Sequence, residues 1–413
     1  MNKTNLLRNM YSGVILSFFI RVFTALSSLA AIKLTHLFLP PQEFRILNYI
    51  LFVLAVSTSL SSPVNRLFWA ENSRNNFSIA VYSTFFITFF LTVISLLSYY
   101  LINKIELYWF VVFFLVTIFY LFSKILERYI YGQILFEIGF NTALAVSGMF
   151  ACVELFFVIG QYYFGLSTLD TRLFGPAALF FAVLVCVPVV RVYFLYLVND
   201  ISNFKKNISL SAKQIFSTKG AKMLTLTTIT TTSIMVDRLV LGYFNIGDSA
   251  ASADYLLVLA YAIAIQSFLN LLIDLGRKRI YQNNAWVSGA RYFVVRVLAL
   301  AIFLLVALIF AFPVLQYFGI IPASVSVYVW FILVLRGISG FIIIFSFTDS
   351  IQSGRISNAF PAILVSMAIS LVFLYLLIVG IDSRTVAILT GIPLIGLSLL
   401  VIWAFNRRMM AAL

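Results

Sequence analysis

Charged residues are scarce in this chain: Asp, Glu, Lys and Arg together make up 10% of its 413 residues. Cysteine and histidine are rarer still, with Cys 2 and His 1. So few thiols and imidazoles exclude a disulfide framework and a cysteine metal site, and Cys152 and Cys186 are expected to be small core residues within apolar runs. The chain also lacks a nucleotide-binding or metal-binding motif, a large loop and a signal-peptide cleavage site after its first apolar run. These absences argue against a soluble enzyme and predict that the first apolar run is retained.

Hydrophobic residues are abundant instead, at 62% of the chain with 43 Phe. A soluble domain has about 45–50% apolar and about 25% charged residues, so this composition is typical of a polytopic membrane protein. A membrane-spanning helix needs about 20 apolar residues. On that criterion the sequence predicts spans at 11–38, 46–65, 77–102, 107–126, 139–164, 174–198, 223–244, 253–275, 292–318, 324–347, 358–380 and 385–406.

Basic residues are concentrated on one side of these predicted spans. Lys and Arg number 28 against 14 for Asp and Glu, a net charge of +14. The alternate connections and the C-terminus hold Arg74, Lys124, Arg128, Lys205, Lys206, Lys213, Lys219, Arg277, Lys278, Arg279, Arg291, Arg355, Arg407 and Arg408. Because cytoplasmic loops are rich in Lys and Arg, both termini are predicted to be cytoplasmic. The same rule explains the positive charge without a nucleic-acid partner.

The longest connection, 199–222, divides the predicted spans into six and six. We therefore expect an N-terminal six-helix bundle at 1–198 and a C-terminal six-helix bundle at 223–413. Apolar residues within 199–222 recur at helical spacing between lysines, so the linker is either an amphipathic helix on the inner membrane surface or a solvated basic loop.

The two halves show weak internal similarity. An acidic residue followed by an aromatic one begins the second span at Glu43-Phe44 and the eighth span at Asp254-Tyr255. The first span of each half also contains an arginine well inside it, Arg21 and Arg238. These matches favour two bundles related by a pseudo-twofold axis along the membrane normal, an architecture found in transporters.

Polar side chains form stripes on the first and seventh spans. Ser17, Arg21 and Thr24 share one helical face of the first span. In the seventh span, Thr227, Thr231 and Arg238 share a face, and Asp237 lies on a neighbouring one. An ionised side chain inside a bilayer costs a few kcal/mol or more, so these helices are expected to border a polar interior. The alternative is that the hydroxyls bond to their own backbone.

Further ionisable residues interrupt other spans: Arg336 in the tenth, Asp274 at the end of the eighth and Glu154 in the fifth. Three arginines suit an anionic cargo, because a guanidinium stays charged and binds phosphate oxygens bidentately. We therefore predict substrate contacts at Arg21, Arg238, Arg336, Ser17, Thr24, Thr227 and Thr231. The carboxylates Asp237, Asp274 and Glu154 are candidates for coupling or gating, although Asp237 could instead form a salt bridge that holds two helices together.

This pattern resembles a known family. Two six-helix halves, the acidic–aromatic starts of the second and eighth spans and the stretch 236–242 (Val-Asp-Arg-Leu-Val-Leu-Gly) are similar to the polysaccharide-transporter branch of the MOP superfamily. Its nearest group is the Wzx-type O-antigen and capsule flippases. The resemblance implies an all-α, MOP/MATE-like fold of about 12 transmembrane helices, with Arg21 and Arg238 at positions that match a cationic central cavity.

The resemblance also implies a function. It predicts a flippase that moves an oligosaccharide repeat unit of O-antigen, capsule or exopolysaccharide, linked to undecaprenyl diphosphate, across the bacterial inner membrane. Partners would be this lipid-linked glycan, the bilayer and other membrane proteins of polysaccharide assembly. No catalytic residue, metal or cofactor is expected, and proton or Na⁺ coupling is left open.

Two other classes remain as alternatives. A MATE-like multidrug or cation antiporter has a related architecture, but such exporters typically show acidic cavity residues. A membrane enzyme of polysaccharide assembly, such as a polymerase, would usually carry its catalytic groups in a large outer loop, and the outer loops here are short.

Overall fold

The computed structural model describes residues 22–24, 26–61, 64, 74–103, 107–138, 140–166, 168–243, 250–265, 299, 303, 306–335 and 337–338. Within these ranges the regular elements are helices, and there is no strand. Five helices in the described part of the chain are long and apolar enough to cross a membrane: Pro41–Leu60, Asn76–Leu101, Phe110–Ile134, Thr142–Phe164 and Leu169–Cys186. They confirm the predicted class, an all-α polytopic membrane protein.

The helices are numbered here in chain order. Their bounds are α1 Val22–Phe38, α2 Pro41–Leu60, α3 Arg74–Asn103, α4 Leu107–Glu137, α5 Phe140–Phe164, α6 Leu169–Cys186, α7 Pro188–Asn199, α8 Phe204–Ile215, α9 Thr218–Tyr243, α10 Ala250–Ile265, α11 Val306–Tyr317 and α12 327–335. A short 3₁₀ turn, Asp200–Asn203, joins α7 to α8.

Several of the predicted spans have different ends in the structure. The second was expected at 46–65 and the seventh at 223–244, but α2 is Pro41–Leu60 and α9 is Thr218–Tyr243. The fourth span was expected to end at 126, but α4 continues without interruption to Glu137. The sixth was expected at 174–198, but its helix begins at Leu169 and is broken at Val187. Pro188 causes this break, because proline has no backbone N–H and disfavours helical geometry in the residue before it.

The linker is helical, so the basic-loop alternative is wrong for 204–215. The ring of Phe204 in α8 packs edge-on against Tyr82 of α3 at 5.3 Å between centroids. Asn207 and Ser211 are buried, at 2% and 3% exposure. Lys205, Lys206 and Lys213 are exposed. This helix therefore packs through part of its surface against α3, and its position on the inner membrane surface stays a prediction.

Two compact units divide the chain, Met1–Thr231 and Thr232–Leu413, and the boundary falls within α9. The predicted domain limits at 198 and 223 and the pseudo-twofold relationship stay predictions. The helix α9 is also not among the five apolar spans. Its threonines and the charged pair Asp237 and Arg238 lower its hydropathy, so its membrane crossing likewise stays a prediction.

In the first unit, α4 packs against α3, α5 and α6. The part of α4 nearest its end at Glu137 forms an apolar core with α5, α6 and α7. Its buried members include Ile125, Tyr129, Ile130, Ile134, Ala143, Val146, Phe150, Phe180, Leu184 and Val190. Lys124 and Glu154, which carry charge and are described below, lie near the middle of α4 and of α5.

The two cysteines do not share the environment expected for them. Both thiols are free, Cys152 is partly buried and Cys186 is exposed. The expectation of a core position is wrong for Cys186. In a membrane protein the lipid-facing surface is as apolar as the core, so an apolar run does not distinguish the two.

Candidate functional site

Four ionisable side chains from α4, α5 and α6 form one buried cluster. Lys124 Nζ lies 2.8 Å from Glu154 Oε2 and 3.1 Å from Glu127 Oε2. Arg172 Nη2 lies 2.6 Å from Glu154 Oε1. The Nε of Arg172 donates to Thr35 Oγ1 of α1 at 2.9 Å. Glu154 thus receives one cation at each of its oxygens, and the cluster connects four helices of the first unit.

The cluster is balanced in charge and shielded from solvent. Two carboxylates face two cations, and the exposed fractions are 4% for the Arg172 side chain and 22% for those of Glu154 and Lys124. Lys124 Nζ also lies 5.9 Å from the ring centroid of Tyr120. In a low-dielectric interior, each charge needs a partner to offset the cost of leaving water. Removal of Glu154 would therefore leave the buried Arg172 guanidinium without a carboxylate within this cluster.

Two local features place α6 so that Arg172 can reach Glu154. At the start of α6 the carboxylate of Glu43 accepts the backbone N–H of Leu169, one of the donors that a helix leaves without an intrahelical partner. One turn after Arg172, Gly175 meets the ring of Phe157 from α5. A Cβ at position 175 would lie 1.7 Å from Phe157 Cζ. The absence of a side chain at Gly175 therefore allows the two helices to approach closely beside the ion pair.

Glu154 was predicted from the sequence, but its partners were not. The charge of Lys124 was counted with the connection that follows the fourth span, predicted at 107–126, and that of Arg172 with the loop before the span predicted to start at 174. Instead Lys124 lies inside the apolar segment Phe110–Ile134 and Arg172 inside Leu169–Cys186. The sequence did hold a signal for this arrangement, because a glutamate within an apolar helix needs a cation nearby. A coupling or gating role for Glu154 stays a prediction.

The predicted substrate residues Thr227 and Thr231 contact α2. Thr227 Oγ1 donates to the carbonyl oxygen of Ser59 at 3.1 Å. Thr231 Oγ1 shares a hydrogen bond with the Ser59 hydroxyl. These hydroxyls are spaced one helical turn apart and connect α9 to α2 within the first unit. In this structure the two hydroxyls form hydrogen bonds from one helix to another, and their contact with a substrate stays a prediction.

In the second unit, Asp237 and Arg238 are buried, at 0% and 7% exposure. The Tyr255 hydroxyl donates to Asp237 Oδ2. The neighbouring Asp254 accepts a hydrogen bond from the Ser324 hydroxyl. Both members of the acidic–aromatic pair that starts the eighth predicted span are therefore engaged in hydrogen bonds to other segments. Tyr255 was noted only as part of a repeat, and its contact with Asp237 was not foreseen.

Among the remaining predicted site residues, the structure describes Thr24. Thr24 lies in α1 and is partly buried. Ser17, Arg21, Asp274 and Arg336 lie outside the described residues.

The fold and the site together define an all-α membrane protein with ionised side chains buried within its spans. No family model matches the chain, and no curated protein is significantly similar to it. One solved structure aligns with 96% of this chain and 98% of its own, at 14% identity and a TM-score of 0.43. It is an inward-facing conformation of a multidrug resistance MATE family transporter of the MOP superfamily. At this TM-score the similarity identifies neither the fold family nor the substrate of this chain.

Proposed function

We propose that this protein is a transporter of the MOP type that moves a polyprenyl-diphosphate-linked oligosaccharide across the membrane. The substrate would be a repeat unit of O-antigen, capsule or exopolysaccharide, and the membrane would be the bacterial inner membrane. Transport would proceed by alternating access, with the diphosphate bound by arginines and the lipid tail remaining in the bilayer.

The observation that carries this proposal is the burial of Arg238, which is 7% exposed within a 26-residue helix. A guanidinium does not lose its proton in a protein, so the residue is cationic wherever it lies. A permanent cation inside a membrane helix is costly and is usually retained for function. Its planar donors match the oxygens of a diphosphate, which is the anionic group of the proposed cargo.

The threonines of α9 would contribute contacts to the glycan hydroxyls. Thr227 and Thr231 are now bonded to Ser59. Their hydroxyls would therefore exchange these helix-to-helix bonds for bonds to sugar during the transport cycle. Hydroxyl bonds between membrane helices are worth about 0.6 kcal/mol on average, so such an exchange is energetically cheap.

The cluster around Glu154 would supply the coupling step. Binding of a proton or Na⁺ at Glu154 would weaken its attraction for Lys124 and Arg172, which come from two different helices. Because α4, α5 and α6 pack against one another, loosening both ion pairs would free α4 and α6 to shift relative to α5. Asp237 and Asp274 remain the other candidates for this role.

The test is complementation of a strain whose copy of the gene has been deleted, with surface polysaccharide as the readout. Arg238→Ala and Arg21→Ala should each abolish display while the protein is made at normal levels. Arg191→Ala, at an exposed position of α7, is the matched control and should display normally. Full display by both Arg21→Ala and Arg238→Ala would refute the cationic-cavity proposal.

A binding measurement separates this proposal from the MATE-like alternative. Purified protein should bind polyprenyl diphosphate carrying an oligosaccharide, and the Arg238→Ala variant should bind it at least about tenfold more weakly, the equivalent of about 1.4 kcal/mol. Saturable binding of organic cations without binding of the anionic lipid would favour a cation antiporter instead.

A further inference from the structure

Several buried polar side chains of the first unit have atoms with no hydrogen-bond partner within the described part of the chain, and three of them come from the packed helices α4, α5 and α6. The atoms of these three are Thr117 Oγ1, both amide atoms of Gln161 and Nη1 of Arg172. The residues are 1%, 2% and 3% exposed, respectively. A buried polar group without a partner costs about 1–3 kcal/mol. Four such atoms in one region would be a large penalty for a protein of ordinary stability.

The Lys124–Glu154 ion pair places Thr117 opposite Gln161. The helices α4 and α5 form a hairpin and are antiparallel, since α4 ends at Glu137, α5 begins at Phe140 and the two pack against each other. Thr117 lies seven residues before Lys124 on α4, and Gln161 lies seven residues after Glu154 on α5. Seven residues make two helical turns. Thr117 is therefore on the same face of α4 as Lys124, and Gln161 on the same face of α5 as Glu154, each about 10 Å nearer to residues 165–168. The two side chains therefore face each other at the same level.

Arg172 lies at that level too. Gln161 is three residues before the end of α5 at Phe164, and Arg172 is three residues after the start of α6 at Leu169. The guanidinium already uses Nη2 for Glu154 and Nε for Thr35. Its third nitrogen, Nη1, is the one without a partner. Three helices thus bring their unpartnered polar atoms to the same end of the bundle, near residues 165–168.

The opposite direction is mostly apolar. Leu121 and Val158, at 1% and 0% exposure, lie between the Thr117–Gln161 level and the Lys124–Glu154 pair. Beyond the pair, on the side toward Ile138, the residues Ile130, Ile134 and Ala143 are fully buried in the apolar core. Gln133 is buried there as well; its Nε2 donates to Glu137 Oε1 at 2.7 Å, and its Oε1 has no partner in the described part of the chain.

We propose that Thr117, Gln161 and Arg172 bind a small group of ordered water molecules at the 165–168 end of the ion-pair cluster. A buried water typically makes about three hydrogen bonds to groups that would otherwise lack partners. Arg172 Nη1 and Gln161 Nε2 donate, Gln161 Oε1 accepts and the Thr117 hydroxyl does either. The charge of Arg172 is already balanced by Glu154, so the site suits a neutral ligand rather than an ion.

Water bound to Arg172 Nη1 would be adjacent to the guanidinium that holds Glu154. Under the predicted topology, the 165–168 end faces the exterior. The inference stands whether or not the cargo is a lipid-linked glycan.

The first test is a cryo-electron microscopy map of the full-length protein in lipid nanodiscs, at a resolution that shows ordered water. The expected result is solvent density within hydrogen-bond distance of Gln161, Thr117 and Arg172 Nη1. A map in which the Gln161 amide bonds directly to the Thr117 hydroxyl, with no density between them, would overturn the proposal.

A second test uses thermal unfolding of purified variants. If water satisfies the Gln161 amide, Gln161→Leu loses those bonds and lowers the Tm. If the site is dry, the leucine removes an unsatisfied amide and raises the Tm or leaves it unchanged, which contradicts the proposal. Thr117→Val should likewise lower the Tm more than the control Thr92→Val. Thr92 is 1% exposed, and its hydroxyl already bonds to the carbonyl oxygen of Thr88 at 2.7 Å.

Discussion

Arg172 and Glu154 are joined by an ion pair of 2.6 Å between α6 and α5, although both lie in segments apolar enough to cross a membrane. The same carboxylate binds Lys124 of α4 through its other oxygen at 2.8 Å. A single glutamate therefore holds three helices together, and its two cations are what allow an acid to be buried there. The strength of this arrangement can be measured by removing one charge at a time.

We expect Arg172→Leu to destabilise the first unit. It leaves Glu154 with Lys124 alone, so the loss should be below about 3–5 kcal/mol, the loss that follows when a buried charge keeps no partner. The double variant Arg172→Leu/Glu154→Leu should recover part of this loss, because Lys124 still pairs with Glu127. The measurement is the thermal unfolding temperature in detergent, with the exposed Arg191→Leu as control. Equal Tm values for Arg172→Leu and Arg191→Leu would show that the pair does not stabilise the fold.

Gly175 is expected to be needed for the approach of α6 to α5. A Cβ there would overlap the Phe157 ring, so Gly175→Leu should displace α6 beside the ion pair and lower the Tm. The ring is the movable partner, and Phe157→Ala combined with Gly175→Leu should restore part of the stability. Gly160 of α5 is the control, since a Cβ at that position meets nothing within 4 Å. If Gly175→Leu were as well tolerated as Gly160→Leu, close packing at this point would be unimportant.

The Thr231–Ser59 hydrogen bond should contribute modestly to the attachment of α9 to α2. In a double-mutant cycle of Thr231→Val and Ser59→Ala, we expect a coupling energy of about 0.6 kcal/mol, typical of hydroxyl bonds between membrane helices. Ser61 provides the control, because its hydroxyl bonds to the Ser57 carbonyl of its own helix at 2.9 Å. A cycle of Thr231→Val with Ser61→Ala should show no coupling. Coupling of the same size in both cycles would mean that the effect is not carried by the contact.

The fold class was predictable because membrane spans are local features, about 20 apolar residues each. Pro41–Leu60 and Leu169–Cys186 are examples, although each begins five residues earlier than its predicted start, at 46 and at 174. The error in α4 has a physical cause. Lys124 and Glu127 look like the end of a span when each is counted as an isolated charge, whereas together with Glu154 and Arg172 they form a neutral cluster that a span can contain.

The partners of the predicted site residues could not be found from sequence. Glu154 stood out as a lone acid, but its two cations lie 30 and 18 positions away along the chain, on different helices. Helical spacing sorts residues onto faces of one helix and says nothing about which neighbouring helix meets that face. The same limit applies to Thr231, whose polar face was assigned to a cavity and meets Ser59 of α2.

The hydrogen bond from Tyr255 to Asp237 leads to the last prediction. Asp237 is fully buried, so loss of a donor to its carboxylate should cost about 1–3 kcal/mol. Tyr255→Phe removes only the hydroxyl and should lower the Tm of the protein, whereas Tyr328→Phe, at a position 74% exposed, should not. Under the predicted repeat, Phe44 would match Tyr255 and Ile20 would match Asp237, so the first half would lack both the donor and the acceptor. Replacing both partners by apolar groups also leaves no unsatisfied acceptor. On this argument Tyr255→Phe combined with Asp237→Leu should be more stable than Tyr255→Phe alone, and a double variant less stable than both single variants would contradict it.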